Sequence, residues 1–248
     1  MALSGLLDVV TGDPALARAL AEARDGAERR DLVAPPPLRP YLVAALAEHA
    51  GTGGTVGGSA GSRPVLAVTA TWREAEDLEA ALGSLLPEHS VAHFPAWETL
   101  PHERLSPRSD TVGQRLSVLR RLDHPDPDDP AAGPLRVVVA PVRSVLQPLV
   151  AGLGELRPVR LRTGDEADLE QVVADLVEAG YARVDLVEKR GDVAVRGGIV
   201  DVFPPTEEHP LRVEFFGDEV DEIRYFKVAD QRSPYSAASR LRWSATLK

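Results

Sequence analysis

Three groups of residues in this 248-residue chain have types and spacings that could do chemistry. The first is the Gly-rich run 51–62, GTGGTVGGSAGS. A phosphate-cradling loop of the G-x-x-x-x-G-K-[ST] kind needs a Lys that reaches the phosphates and a hydroxyl that holds Mg²⁺. No Lys occurs before position 189, and the run precedes the strand-like segment 65–70 instead of following it. It reads as a flexible surface loop. The second group is the His at 49, 89, 93, 102, 124 and 209, in which no H-E-x-x-H occurs, and the one pair four apart, His89 and His93, is separated by an expected strand, which argues against a shared helical face. With no Cys either, no metal site is expected. No nucleophile–base pair or facing carboxylates stand out, so no catalytic residue is assigned. The third group is LRVEFF, Leu211–Phe216. In a strand, Leu211, Val213 and Phe215 face one way and Arg212, Glu214 and Phe216 the other. An aromatic ring beside an Arg on a wet face is binding chemistry, because both are common interface anchors. A blander arrangement uses the same residues: Phe216 tucked beneath a loop, Arg196 paired with Glu214, and Glu214 either orienting Arg212 or simply solvated.

Such a face needs a β framework, and the surrounding sequence supplies one. From Arg190 to Phe226, apolar and polar residues alternate between Gly, Pro and Asp placed at hairpin distances, which predicts consecutive antiparallel strands. Gly217-Asp218 suits a tight turn, and the DEVDE run 218–222 reads as a solvated turn. Ahead of this come a strand at 157–163, a helix at 165–180 closed by Gly180, and a strand at 184–187. The earlier chain alternates strands and helices. A buried-type strand at 64–70 leads to a helix at 71–86 that opens with the capping box Thr71–Glu74. Then follow a strand at 90–94, a helix at 111–122, the acidic Pro-rich loop 123–134, a strand at 135–140 and a helix at 142–149. That order predicts a parallel α/β sheet. Before it, residues 1–33 read as an amphipathic surface helix (Leu6, Val9, Val10, Leu16, Leu20) with a charged tail, and 41–50 as a helix after a Pro break.

Charge narrows the partner. The chain carries a net charge of −10, and residues 190–226 hold nine acids against four Arg. Autonomous duplex binding rests on a basic footprint, so a protein is the expected partner. No apolar run approaches the length of about 20 residues that a membrane span needs, so no membrane contact and a cytoplasmic setting are expected.

The run from Arg196 to Pro204, RGGIVDVFP, followed by LRVEFFGDE from Leu211 to Glu219, resembles domain 2 of UvrB and of the transcription-repair coupling factors (Mfd). The run FPAWETLPHERLSP at 94–107 resembles domain 1A of the Mfd family, more than the Tyr-rich loop of UvrB. The resemblance implies an α/β fold: a degenerate P-loop/RecA-like parallel-sheet domain 1A that has lost its nucleotide site, plus a smaller α+β, mainly antiparallel domain 2. Expected divisions are 1–33 N-terminal helical, 34–155 domain 1A, 156–235 domain 2 and 236–248 the start of domain 1B or a truncated end. It further implies UvrA, the damage-recognition ATPase of nucleotide excision repair, as the protein partner, with Arg196, Arg212, Phe216 and Glu214 as contact residues. Trp97 either covers the end of the sheet or is a vestige of a DNA-contacting loop. No cofactor or enzymatic activity is expected of this stretch. ATP, magnesium, RNA polymerase and DNA would engage motor and other domains beyond residue 248, in a parent that translocates on DNA and displaces stalled polymerase. Two alternatives stay open: a UvrB-type DNA-loading ATPase, against which the missing GK[ST] counts, and a structural adaptor for another protein.

Overall fold

The computed structural model describes residues 4–24, 29, 31–50, 63–99, 107–126, 132–149, 159–228 and 243–245. The Gly-rich run 51–62 and residues 100–106 of the FPAWETLPHERLSP run lie outside them. By contacts the chain forms two compact units, Met1–Trp97 with Arg121–Pro148, and Glu98–Arg120 with Leu149–Lys248. The fold class expected from the sequence is the one observed, a parallel sheet with helices followed by a mostly antiparallel sheet.

In the first unit, β1 (Val65–Thr69), β2 (Val91–His93) and β3 (Val137–Pro141) form a parallel sheet in the order β1-β3-β2. β3 is the central strand, and its VVVAP sequence is buried throughout, as a strand covered on both faces requires. β1 departs from the expectation of a buried strand. It lies at the sheet edge, with Ala67 in the core and Leu66 and Val68 about half exposed. A continuous apolar run cannot distinguish a central strand from an edge strand.

Four helices of this unit enter the core. α1 (Ser4–Thr11) and α2 (Pro14–Arg24) set Leu7, Leu16 and Leu20 against α3 (Arg39–Ala50), whose small Ala44, Ala45 and Ala47 permit close approach. The N-terminal segment is therefore two core helices, and the surface stripe expected of it is corrected: Leu7 is buried while Leu6 and Val9 face solvent. α4 (Trp72–Leu85) contributes Ala75, Leu82 and Leu85. Its capping box forms as expected, with Thr71 Oγ1 accepting from the Glu74 N–H at 3.2 Å and Glu74 Oε2 accepting from the Thr71 N–H at 3.2 Å. The short α6 (Val142–Leu146) follows β3.

The second unit is built on a five-stranded sheet, β5-β6-β7-β8-β9, comprising β5 (Ala182–Arg183), β6 (Asp192–Arg196), β7 (Ile199–Val202), β8 (Leu211–Phe216) and β9 (Glu219–Tyr225). β6 to β9 pair antiparallel, and β5 joins parallel. The strand expected at 184–187 is absent; β5 ends at Arg183, with a last backbone bond from the Val184 N–H to the Val193 carbonyl at 2.9 Å, and Val187 packs as a loop residue in a small apolar cluster. One face of the sheet (Val193, Val200, Val202, Leu211, Val213, Val220, Ile223) packs on Val172, Val173 and Leu176 of α7 (Leu169–Glu178). Burying each such side chain contributes about 1.5–3 kcal/mol. α7 is capped by Asp168, three residues later than Asp165, where the sequence places its start. Residues 165–167 instead hydrogen-bond along the outer edge of β9, Val220 N–H donating to the Asp165 carbonyl at 2.9 Å and Ala167 N–H to the Asp218 carbonyl at 2.7 Å. This covers an edge that would otherwise present unpaired backbone groups. Gly180, at φ 95°, ends α7 as expected.

α5 (Ser109–Asp123) belongs to the second unit as far as Arg120. It begins at Ser109, two residues before the expected start at Thr111, whose hydroxyl donates to the Glu98 carboxylate. Gly113 lies so close to the Pro205 carbonyl that a Cβ there would overlap it, and Asp110 pairs with Arg190. β4 (Val159–Leu161) pairs antiparallel with β10 (Trp243–Ala245).

Candidate protein interface

The face of the five-stranded sheet turned away from α7 carries the residues of interest, and strand register decides which of them meet. β7 and β8 align Asp201 with Arg212 and Ile199 with Glu214. β8 and β9 align Arg212 with Arg224 and Glu214 with Glu222, and a bulge follows between Glu214 and Phe215. Because of the bulge, Val220 and Ile223, three residues apart, both point into the core, while Phe216 stands opposite Glu219. The two hairpin turns, at Gly197-Gly198 and Gly217-Asp218, lie at the same end of the sheet. Gly197 and Gly217 hold positive φ of 60° and 63°, where a side chain would be strained. A Cβ on Gly198 would crowd the Phe215 carbonyl, so the first turn packs tightly against β8.

Asp201 is the hub of this face, at only 1% side-chain exposure. Arg212 grips it with two bonds, Nε to Oδ1 at 2.6 Å and Nη2 to Oδ2 at 2.7 Å, and Arg196 Nη2 adds a third at 3.1 Å. Two parallel N–H donors to one carboxylate are the strong, directional form of this pair. The hydrogen bonds to Asp201 hold the Arg212 guanidinium above its ordinary pKa, against the opposing effect of burial. Arg212 also lies 4.9 Å from the centre of the Phe226 ring, a cation–π contact beside the cluster of Val187, Ala194 and Phe203. Its side chain is 16% exposed, so it is largely a structural member of the face. Arg196, at 51%, reaches into water.

Glu214 does not pair with Arg196, nor does it orient Arg212. It is bound by Arg224, which also reaches Glu222 Oε2 at 2.6 Å. Glu214 and Glu222 face each other across the strands, where two like charges repel, and Arg224 bridges them. Phe216 is not tucked under a loop: it is 82% exposed at the hairpin end. Phe is among the residue types most often buried, so an exposed Phe216 ring leaves apolar surface in water. Sequence reasoning named Arg196, Arg212, Glu214 and Phe216 but missed Asp201 and Arg224, whose roles come from register alone.

Trp97 lies in the first unit and is half-buried, with its backbone clamped by Gln147: Trp97 N–H donates to Oε1 at 2.8 Å, and Nε2 donates to the Trp97 carbonyl at 3.3 Å. Among the described residues no group of His or carboxylate side chains is arranged to hold a metal ion, and no helix is long and apolar enough to cross a membrane.

Comparison with known proteins places this geometry. The UvrB interaction domain family matches residues 159–240, the span that contains the five-stranded sheet. Over 231 residues, 93% of the chain, the sequence is 48% identical to a transcription-repair-coupling factor of Mycobacterium tuberculosis. It is 34% identical to that of Bacillus subtilis over 173 residues, 69% of the chain, and 31% identical to that of Escherichia coli over 151 residues, 60% of the chain. The chain spans 18% of the mycobacterial relative, 14% of the Bacillus one and 12% of the Escherichia one. Over the stretch it spans, the chain belongs with the transcription-repair-coupling factors, and its residues 159–240 match the UvrB interaction domain family.

Proposed function

We propose that this chain recruits UvrA through the sheet face that carries Arg196, Arg212, Glu214 and Phe216, as the repair-recruiting part of a transcription-repair coupling factor. The observation that carries the reading is Phe216, 82% exposed at a hairpin end of the sheet that also carries the water-facing Arg196. Burying the ring in a partner's pocket removes apolar surface from water, and its conformation is already set by the sheet, so little ordering cost opposes binding. Arg196 supplies the charged contact. Arg212, held by Asp201, supplies the platform beneath it, and Glu214, held by Arg224, supplies the polar rim. In this reading, the whole protein's translocation on DNA, ATP hydrolysis and contact with RNA polymerase belong to other parts of a longer cytoplasmic protein, and the first unit is a nucleotide-free relative of an ATPase domain.

Calorimetric titration of the chain with purified UvrA tests this. Saturable binding that Phe216→Ala weakens at least about tenfold, or ~1.4 kcal/mol, is expected. No binding by the folded wild-type chain, or full affinity in the variant, would sink the proposal.

A further inference from the structure

The charges on the binding face fall into two ion clusters of opposite net charge. Asp201 accepts from both Arg196 and Arg212, so the ion cluster spanning β6, β7 and β8 holds two cations to one carboxylate. Arg224 is shared by Glu214 and Glu222, so the β8–β9 side holds two carboxylates to one cation. The imbalance grows toward the hairpin ends. Phe216 is aligned with Glu219, and Glu219 is in turn aligned, through an isolated antiparallel bridge, with Glu166. Both of these carboxylates are exposed. Like charges directly opposite one another in a sheet repel, a cost that a partner's cation would remove. The row that starts at Arg196 therefore runs through apolar Ile199 to Glu214 and Glu222. From Arg196 to Glu222 is three strand spacings, about 14 Å at roughly 4.8 Å each. That exceeds the Debye length of about 8 Å at physiological salt, so a partner meets the two ends as separate charges.

We propose that the face is bipolar and selects a partner surface of matching order: a carboxylate opposite Arg196, an apolar socket for Phe216, and a Lys or Arg opposite Glu219 and Glu166. This rests on the reading of the face as the UvrA contact and specifies what UvrA presents to it. A uniformly acidic partner surface would gain at Arg196 and be repelled at Glu219. A uniformly basic one would do the reverse. Opposed charges across a rim of this kind chiefly set register and the rate of encounter.

The sign of a charge reversal at Glu219 decides the matter. Purified UvrA is titrated against the full chain and its Glu219→Lys, Glu219→Gln, Arg196→Glu and Phe216→Ala variants at low and physiological salt. Matching far-UV spectra and melting midpoints show that each variant is folded. The expected result is at least about threefold weaker binding for both Glu219→Lys and Arg196→Glu, a smaller loss for Glu219→Gln, and losses at Glu219 that shrink with added salt. Unchanged or tighter binding by Glu219→Lys overturns the bipolar assignment while leaving the face intact. Absence of wild-type binding, or full affinity of Phe216→Ala, overturns the reading of the face itself and the assignment with it.

Discussion

Asp201 is the residue on which the sheet face depends most. Its carboxylate is 1% exposed and takes three N–H bonds, two of them from an Arg212 that is itself mostly buried against Phe226. Asp201→Ala leaves that guanidinium without its counter-ion. Removing one partner of a buried ion pair costs about 3–5 kcal/mol. The Arg196 bond adds little, because half of that side chain is already in water. At roughly tenfold per 1.4 kcal/mol, amide exchange of residues 199–202 and 211–216 should accelerate by about two to three and a half decades. Hydrogen exchange read by mass spectrometry reports this strand by strand. Asp201→Asn, which keeps one acceptor oxygen, should fall between. Asp201→Ala combined with Arg212→Met should recover most of the loss, since the remaining apolar chain still packs on Phe226 and no charge is stranded. Exchange within threefold of wild type in Asp201→Ala, or a double variant no better than the single, would refute the hub.

Other expectations follow from single contacts. Gly113→Ala should loosen α5, because the new methyl overlaps the Pro205 carbonyl and an overpacking cost of about 1–3 kcal/mol outweighs the roughly 1 kcal/mol gained in helix propensity; Gly83→Ala in α4, with open space around it, should show that gain alone. Exchange rates in the two helices, moving in opposite directions, check the pair. Thr71→Ala should cost α4 about 1 kcal/mol by removing its cap, visible as faster exchange in the first turn. The Tyr181 hydroxyl is buried with no hydrogen-bond partner among the described residues, and burial, helped by the Glu207 charge, raises its pKa. Above about pH 10 the unfolded chain releases this proton and the folded chain keeps it, so stability falls as pH rises. Urea unfolding of Tyr181→Phe should lose that part of the alkaline slope and gain about 1 kcal/mol at neutral pH; an unchanged slope would contradict the assignment.

Much of the second unit was legible because period-two alternation and φ-positive glycines are local signals. Leu211–Phe216 faces as its alternation requires, and Gly217-Asp218 turns where expected. The partners on its outer face were not legible. In sequence, Asp201 is an acid in an apolar strand and Arg224 one more charge in an acidic hairpin. Only register, set by two tight turns and a bulge, brings Asp201 to Arg212 and Arg224 to Glu214 and Glu222. The start of α7 was misjudged because residues 165–167, acidic and helix-compatible, are taken up by the edge of β9. β1 was expected to be buried because edge position is a property of strand order, which a local apolar run does not record. Leu7 rather than Leu6 enters the core because two short helices, not one, meet α3, and a break between helices shifts the buried stripe.

The most direct test replaces Phe216 with a benzophenone-bearing phenylalanine and irradiates the chain with purified UvrA, beside the same substitution at exposed Trp72 of the first unit. The account predicts a cross-linked adduct from position 216, lost on competition with unlabelled wild-type chain, and little from position 72. Adducts from 72 and none from 216 would contradict it.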